Sequence, residues 1–368
     1  MFIKQVFYEN SMEVNNQMKT ATSKWTKKWR HHVMVTAALA AVVIGSLFGS
    51  ATSYAITDAD QDGIDDSVEQ TLLTKYAPKL YLHPDEDNKP SSVDWYLQRV
   101  AMRFHHDGGC SDDQILALGS VTQVNLSEQA HQTKNWLCSH SGSNILSSQS
   151  RNTRADEGFF LQPPNDNGMD NTVHLGSTDS AEWKAYAHVK SSSVQSGGYD
   201  LQYWFFYPYN DSPSVAGVDF NHEGDWEHIT VTLNSSQQFV SAYFAAHNGE
   251  GKDYSAAQLQ FATKDGTLAS DSQKLTNDYT HPVVYSALGT HASYPSAGQQ
   301  SRGLLPSDYT GAGSSSNTYY HVVNMGELSY PLNSQSFINY AGLWGEIGET
   351  DISTGPVGPA FQSAWNTK

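Results

Sequence analysis

Two short acidic segments in this sequence have the residue types and spacing for cation or proton chemistry. Residues 58–69 read Asp-Ala-Asp-Gln-Asp-Gly-Ile-Asp-Asp-Ser-Val-Glu. Asp58, Asp60 and Asp62 fall at positions 1, 3 and 5 of an EF-hand-type loop. Gly63 takes the sharp turn, Ile64 offers its carbonyl, Asp66 is position 9 and Glu69 is position 12. Calcium takes six to eight hard oxygens, and this spacing wraps them around one point. Without a cation the carboxylates would repel one another, so the pattern predicts bound Ca2+ with a structural role, pinning the segment and starting a helix. A solvated acidic linker is the structural alternative.

The second segment is Asn221-His222-Glu223-Gly224-Asp225-Trp226-Glu227, running into His228-Ile229-Thr230-Val231-Thr232-Leu233. A strand over 225–233 puts Asp225 and Glu227 on one face with Ile229, Val231 and Leu233. Carboxylates facing a core are costly unless paired or metal-bound, and these lie about 7 Å apart along the strand. His222 reaches the same end, and Asp211 and Asp219 lie in the loop before it. Carboxylates plus one histidine favour a hard or borderline divalent ion, Ca2+ or Mg2+. The structural alternative is a turn cap, an ion pair and a core indole. Gly289-Thr290-His291-Ala292-Ser293-Tyr294-Pro295 supplies another candidate. Small residues flank His291, which could act as a ligand or, like His222, as a general base. His247, at the end of an apolar strand, is a weaker third.

The elements that must carry these residues read as mainly β. A helix is expected over 66–76, with Val68, Leu72 and Tyr76 on one face and Pro78 as its stop, and another over 92–105. Residues 106–198 are rich in Ser, Asn, Gly and Asp, with short candidate strands near 115–125 and 183–190. From 199 onward, segments rich in β-branched and aromatic residues alternate with turn residues, as in YDLQYWFFYPY, QFVSAYFAAH and HPVVYSALG. The expectation is a β-sandwich or jelly roll with a few short helices near the N-terminus.

Residues 33–49 are one apolar run behind a basic cluster, and Ser53-Tyr54-Ala55 offers a small-x-small cleavage site. That order is a secretory signal, with cleavage near Ala55 and a start at Met1 or Met18. The predicted division is a signal peptide over 1–55, a calcium loop over 56–70 and one β-rich domain over 71–368. The mature chain would keep 15 basic and 36 acidic residues, a formal charge of −21. Such acidity argues against nucleic-acid binding, which needs clustered Lys and Arg. The two cysteines, Cys110 and Cys138, suggest one disulfide in an exported chain.

Several motifs are familiar together: the stretch from Tyr76 to Pro84 (YAPKLYLHP), SVDWYL at 92–97, HEGDWEHITV at 222–231, SALGTHASYP at 286–295 and AGLWGE at 341–346. They resemble the vacuolar protein sorting-associated protein 62 family along nearly the whole mature chain. A more distant similarity joins Asn221–Glu227 to the G-H-R-H-D-W-E hallmark of necrosis- and ethylene-inducing protein-like cytolysins. His222, Asp225, Trp226 and Glu227 match; Asn221, Glu223 and Gly224 depart. Asp211-Ser212-Pro213-Ser214 resembles those proteins' upstream Asp stretch. Carried over, the resemblance implies a cation site of Asp211, His222, Asp225 and Glu227, and a sugar headgroup as ligand.

Three functions follow as expectations. The first is a secreted, divalent-cation-dependent protein that engages glycans or glycolipids at cell surfaces, with peripheral membrane contact and membrane damage. The second is a metal-assisted hydrolase or lyase of polysaccharide or phosphoester. The third is a calcium-stabilised adhesin. Neither ligand nor oligomeric state is legible in the sequence.

Overall fold

A computed structural model describes residues 57–106, 111–127, 130–131, 144–145, 158–164, 171–215, 217–247, 249–303, 305–313, 321–348, 350 and 352–368. The expected signal segment, Cys110 and Cys138 lie outside these. No helix among the described residues is long and apolar enough to cross a membrane.

The helices are α1 (Asp66–Tyr76), α2 (Val93–Leu97), α3 (Gln123–Leu126) and α4 (Asn171–His174). The strands run β1 (Lys79–Tyr81), β2 (Ala101–His105), β3 (Asp113–Leu116), β4 (Ala130–His131), β5 (Asn144–Ile145), β6 (Gly158–Gln162), β7 (Lys184–Ser191), β8 (Tyr199–Asn210), β9 (His222–Leu233) and β10 (Phe239–Phe244). They continue as β11 (Lys252–Ser255), β12 (Phe261–Ala262), β13 (His281–Ser286), β14 (Ser293–Tyr294), β15 (Gly298–Arg302), β16 (Leu305–Thr310), β17 (His321–Asn324), β18 (Gly326–Glu327) and β19 (Tyr330–Pro331). The protein is mainly β, as expected.

A six-stranded sheet in the order β11-β10-β9-β8-β7-β17 divides the molecule into two apolar layers. β8 and β9 alternate along their lengths, so each face receives every second side chain. Tyr203, Phe205, Tyr207, Ile229, Val231 and Leu233 enter one core, closed by α1 and by β1, β12 and β13. Trp204, Phe206 and Trp226 enter the other, which holds α2, β2, β6 and the C-terminal indoles Trp344 and Trp365. Asp65 caps α1 by accepting from the Ser67 amide at 2.9 Å, and Ser92 caps α2 by accepting from Trp95 at 3.0 Å.

Two expectations fail locally. The helix expected over 92–105 stops at Leu97, and Ala101–His105 is a strand. Leu97, Val100 and Phe104 satisfy helical spacing, but Val100, Met102 and Phe104 also alternate, and pairing with β6 selects the extended form. Of the candidate strand near 115–125, only its beginning belongs to β3; Gln123–Leu126 is helical behind a Thr122 cap.

One irregularity shapes the functional end. β10 pairs with β9 only from Ile229 to Leu233, so β9 from His222 to Glu227 has β8 on one side and, among the described residues, an edge with no paired strand on the other. Gly224 sits in this stretch at φ +64°, and a Cβ there would stand 2.3 Å from the Trp344 carbonyl oxygen. The Gly of HEGDWE therefore lets the AGLWGE segment lie directly against the strand. Gly224→Ala should cost roughly 1–3 kcal/mol of unfolding free energy, from backbone strain and lost approach. Urea unfolding checks this, and a change below the error would mean that Trp344 yields freely.

Candidate functional site

The unpaired edge of β9 borders an open cleft of about 1130 Å³, lined by Asn210, His222, Asp225, Glu227, His247 and Arg302 among others. Asp225 and Glu227 project to the same side of β9, as period-2 reading expects. Their surroundings differ. Asp225 is buried, and its Oδ2 accepts from Asn210 Nδ2 at 3.0 Å and from His291 Nδ1 at 2.9 Å. Glu227 has no hydrogen-bond or ion-pair partner among the described residues. Burial, Asp225 and Asp308 together push its carboxyl well above the usual carboxylate range.

His291 is enclosed completely. Its ring stacks on Tyr207 at 3.8 Å with an interplanar angle of 3°, and its Nε2 lies 3.7 Å from Glu86 Oε2. Glu86 is itself buried, accepting from the Gly289 amide at 2.7 Å and the Asn88 amide at 2.8 Å. Burial pulls the imidazole down, but Glu86 and Asp225 outweigh it and push the pKa up to about 9. The same pairing holds Glu86 below its ordinary value against burial. His291 is therefore already an imidazolium at neutral pH. It orients Asp225 and is not the open base that the sequence suggested.

The left-handed backbone at Gly289 (φ +73°) and His291 (φ +56°) shapes this turn. A Cβ on Gly289 would meet the Asp211 carbonyl oxygen at 2.6 Å, and the Asp211 amide donates to Gly289 O at 2.9 Å. Asp211 thus joins the site through its backbone, while the residue as a whole is exposed. His222 is half-buried at the cleft, with Nδ1 2.8 Å from the Gly224 carbonyl oxygen. Asp211, His222, Asp225 and Glu227 do not form a metal-ligand group: among the described residues, such groups occur only in the 58–69 loop. The charged partner beside Asp225 is the His291 ring.

The loop itself gathers as the spacing implied. Ligand oxygens of Asp58, Asp60 and Asp62 lie within 4.8 Å of one another, as do those of Asp60, Asp66 and Glu69. Gly63 takes φ +91°, and its amide donates to Asp58 Oδ2 at 3.0 Å. The Ile64 amide donates to Asp62 Oδ1 at 2.7 Å. Asp60 and Glu69 are buried, and burial with neighbouring acids pushes them up to about 7 and about 8. Asp58 Oδ1, Asp60 Oδ1, Asp62 Oδ2 and Glu69 Oε1 are buried without a hydrogen-bond partner. Four orphaned acceptors, with no lysine or arginine paired to them among the described residues, fit a hard cation.

Sequence reading missed Glu86, Asn210 and Asp308. Asp308 accepts from Tyr294 Oη at 2.6 Å and from Thr290 Oγ1 at 3.1 Å, and lies 2.6 Å from His247 Nε2. Nothing in local spacing ties Glu86 or Asp308 to histidines 205 and 61 residues away.

The vacuolar protein sorting-associated protein 62 family model matches residues 64–137 and 123–355. The chain belongs to the Vps62 family. Vacuolar protein sorting-associated protein 62 of Saccharomyces cerevisiae is 27% identical over 289 residues, covering 73% of this chain and 58% of that protein. The vacuolar protein sorting-associated protein TDA6 of the same yeast is 27% identical over 332 residues, covering 79% of this chain and 66% of its own. The chain thus spans under two thirds of either Vps62-type relative. Among solved structures, NLPPya in complex with glucosamine aligns at 11% identity and TM-score 0.35, covering 85% of this chain and 96% of that one. A structure described as a toxin fold for microbial attack and plant defense aligns at 13% and 0.36, with the same coverage. Scores this low do not establish a shared fold.

The Glu86–His291–Asp225 cluster has a pH signature. An unfolded histidine titrates near 6.5, so the His291 contribution to stability is complete below that pH and is lost as pH rises through about 9. Glu86 is depressed in the folded state, so its contribution is present above the unfolded carboxyl value and is lost as pH falls through the folded one. His291→Gln should lower stability at pH 7 by about 3–5 kcal/mol, by stranding buried carboxylates, and should flatten the decline between pH 7 and 10. Urea titrations across pH 5–10 measure both; an unchanged alkaline slope would refute the assignment.

Proposed function

We propose that the protein is an exported, calcium-stapled β-sandwich that engages a glycan in the cleft beside β9. The observation that carries the reading is Glu227, which lines a polar cleft without a hydrogen-bond or ion-pair partner among the described residues and is pushed above the usual carboxylate range by burial, Asp225 and Asp308. A neutral carboxyl both donates and accepts, which suits sugar hydroxyls. Asn210, His222 and the held Asp225 line the same space, and Phe220 and Phe361 add apolar surface at its boundary. Arg302 is engaged by Glu250 through two bonds of 2.9 and 3.0 Å, so it offers little to a polyanion. The formal net charge of −17 opposes polyanions as well.

In binding to a panel of immobilised neutral oligosaccharides, the wild type should be retained, and Glu227→Ala should weaken retention by about tenfold or more with an unchanged unfolding midpoint. Failure to bind any member, or equal binding by the variant, would remove the glycan reading.

Calcium would be held by Asp58, Asp60, Asp62, Asp66 and Glu69, with the Ile64 carbonyl, and would neutralise acids that otherwise stand buried together. Calorimetric titration of chelator-treated protein with CaCl2 should show one site per chain. At a hundredfold excess over Kd, the ion should stabilise the fold by about 2.7 kcal/mol. The pair Asp60→Asn and Glu69→Gln should abolish the binding heat. A thermal midpoint indifferent to chelator would exclude the staple.

A further inference from the structure

Glu227 shares its cleft with a second built arrangement. His247 stands on left-handed backbone at φ +42°, a conformation that non-glycine residues adopt at a cost. Its Nε2 lies 2.6 Å from Asp308 Oδ2, and Asp308 is buried. The bonds from Tyr294 and Thr290 fix that carboxylate further. Burial alone would raise Asp308, but His247 and Tyr294 more than offset it and hold the group below its ordinary value. In its neutral form the ring would keep its proton on Nε2, toward the carboxylate, and present Nδ1 as the acceptor. No hydrogen bond to His247 Nδ1 is made among the described residues. Glu227 and His247 line the same cleft, so the dyad's imidazole and the unpartnered carboxyl open onto one space.

We propose that this cleft hydrolyses a glycosidic bond, with Glu227 as proton donor to the leaving oxygen and His247, oriented by Asp308, as the base that activates water. The proposal rests on the glycan reading of the same cleft. Water attacks the anomeric carbon as the bond from that carbon to the glycosidic oxygen breaks. Glu227 delivers its proton to the departing oxygen, and His247 Nδ1 takes one proton from the attacking water. The products are a hemiacetal and an alcohol. Solvent returns the proton from the imidazolium to the Glu227 carboxylate, so the balance is one water consumed and no other reactant.

The charges around the cleft select acetal over phosphoester. Phosphoryl transfer needs cations on its oxygens, yet Arg302 is already spanned by Glu250. Glycosidic cleavage instead passes through an oxocarbenium-like cation. Asp225 is suited to stabilise that charge, because His291 and Asn210 grip its Oδ2 and none of the described side chains bonds its Oδ1.

The test uses the full chain with neutral α- and β-linked oligosaccharides and the matching 4-nitrophenyl glycosides, reading released reducing ends or nitrophenol and, separately, binding. The wild type should turn over. Glu227→Gln keeps the size and neutrality of the protonated acid, so oligosaccharide binding should stay within about threefold while kcat falls by about a hundredfold or more. The nitrophenyl leaving group needs no proton, so the same variant should lose far less on that substrate. His247→Gln should lose about a hundredfold on both substrates. Asp308→Asn, a positioning change, should lower kcat without changing KM. If Asp308→Asn fails to fold, the Glu227 and His247 variants decide. Binding without product release, or Glu227→Gln turning over like the wild type on oligosaccharides, overturns the hydrolase while leaving glycan engagement standing. Absence of binding removes both.

Discussion

A protonated imidazole buried between two carboxylates fixes the geometry around the cleft. His291 draws together Glu86 from the segment after β1 and Asp225 from β9, while Asn210 brings in the end of β8. Glu86 in turn holds the Gly289 amide, and Gly289 holds Asp211. Four distant stretches of chain therefore meet at one ring, whose plane is set by Tyr207 beneath it. Removing any one charge would leave the others uncompensated in largely buried surroundings. The 58–69 loop also buries Asp60 and Glu69, and no lysine or arginine among the described residues pairs with them. One acidic cluster has its counter-charge within the chain, and the other gathers acids around one another.

The central sheet makes this arrangement affordable by separating apolar packing from the charged end. Each of β8 and β9 contributes twelve residues, and their middle portions are buried on both faces. The two cores take the alternating aromatics, so the strands are clamped along most of their length. Beyond Ile229 the partner strand β10 departs, and β9 continues with one edge open. Rigid strands thus carry Asp225 and Glu227 into a cleft without loops to position them, which suits a site that depends on small differences in surroundings.

Much of this was legible in the sequence because it is local. The EF-hand-type spacing, the helix from Asp66 and the strand through HEGDWEHITV are each encoded within a dozen residues, and period-2 alternation placed Asp225 and Glu227 on one side. What was illegible is long-range pairing. Asp225 and Glu227 look equivalent in sequence, yet one is gripped by His291 and Asn210 and the other is left unpartnered. The difference arises from residues 66 and 15 positions away in the case of Asp225. His291 read as a base because small neighbours promised space, but the fold fills that space with Tyr207 and Glu86. The 92–105 misreading has the same origin, since the spacing there satisfied two periods and only pairing with β6 decided between them.

The parallel pairing of β1 with β13 has a temporal meaning. Lys79–Tyr81 matches Val283–Tyr285, so about two hundred residues must be made before this strand finds its neighbour. Glu86 likewise waits for Gly289 and His291. Until the later portion of the chain is made, Glu86 and Glu69 lack the His291 and Asn324 side chains that they meet in the fold. Such a topology delays closure of the sheet until most of the chain is present.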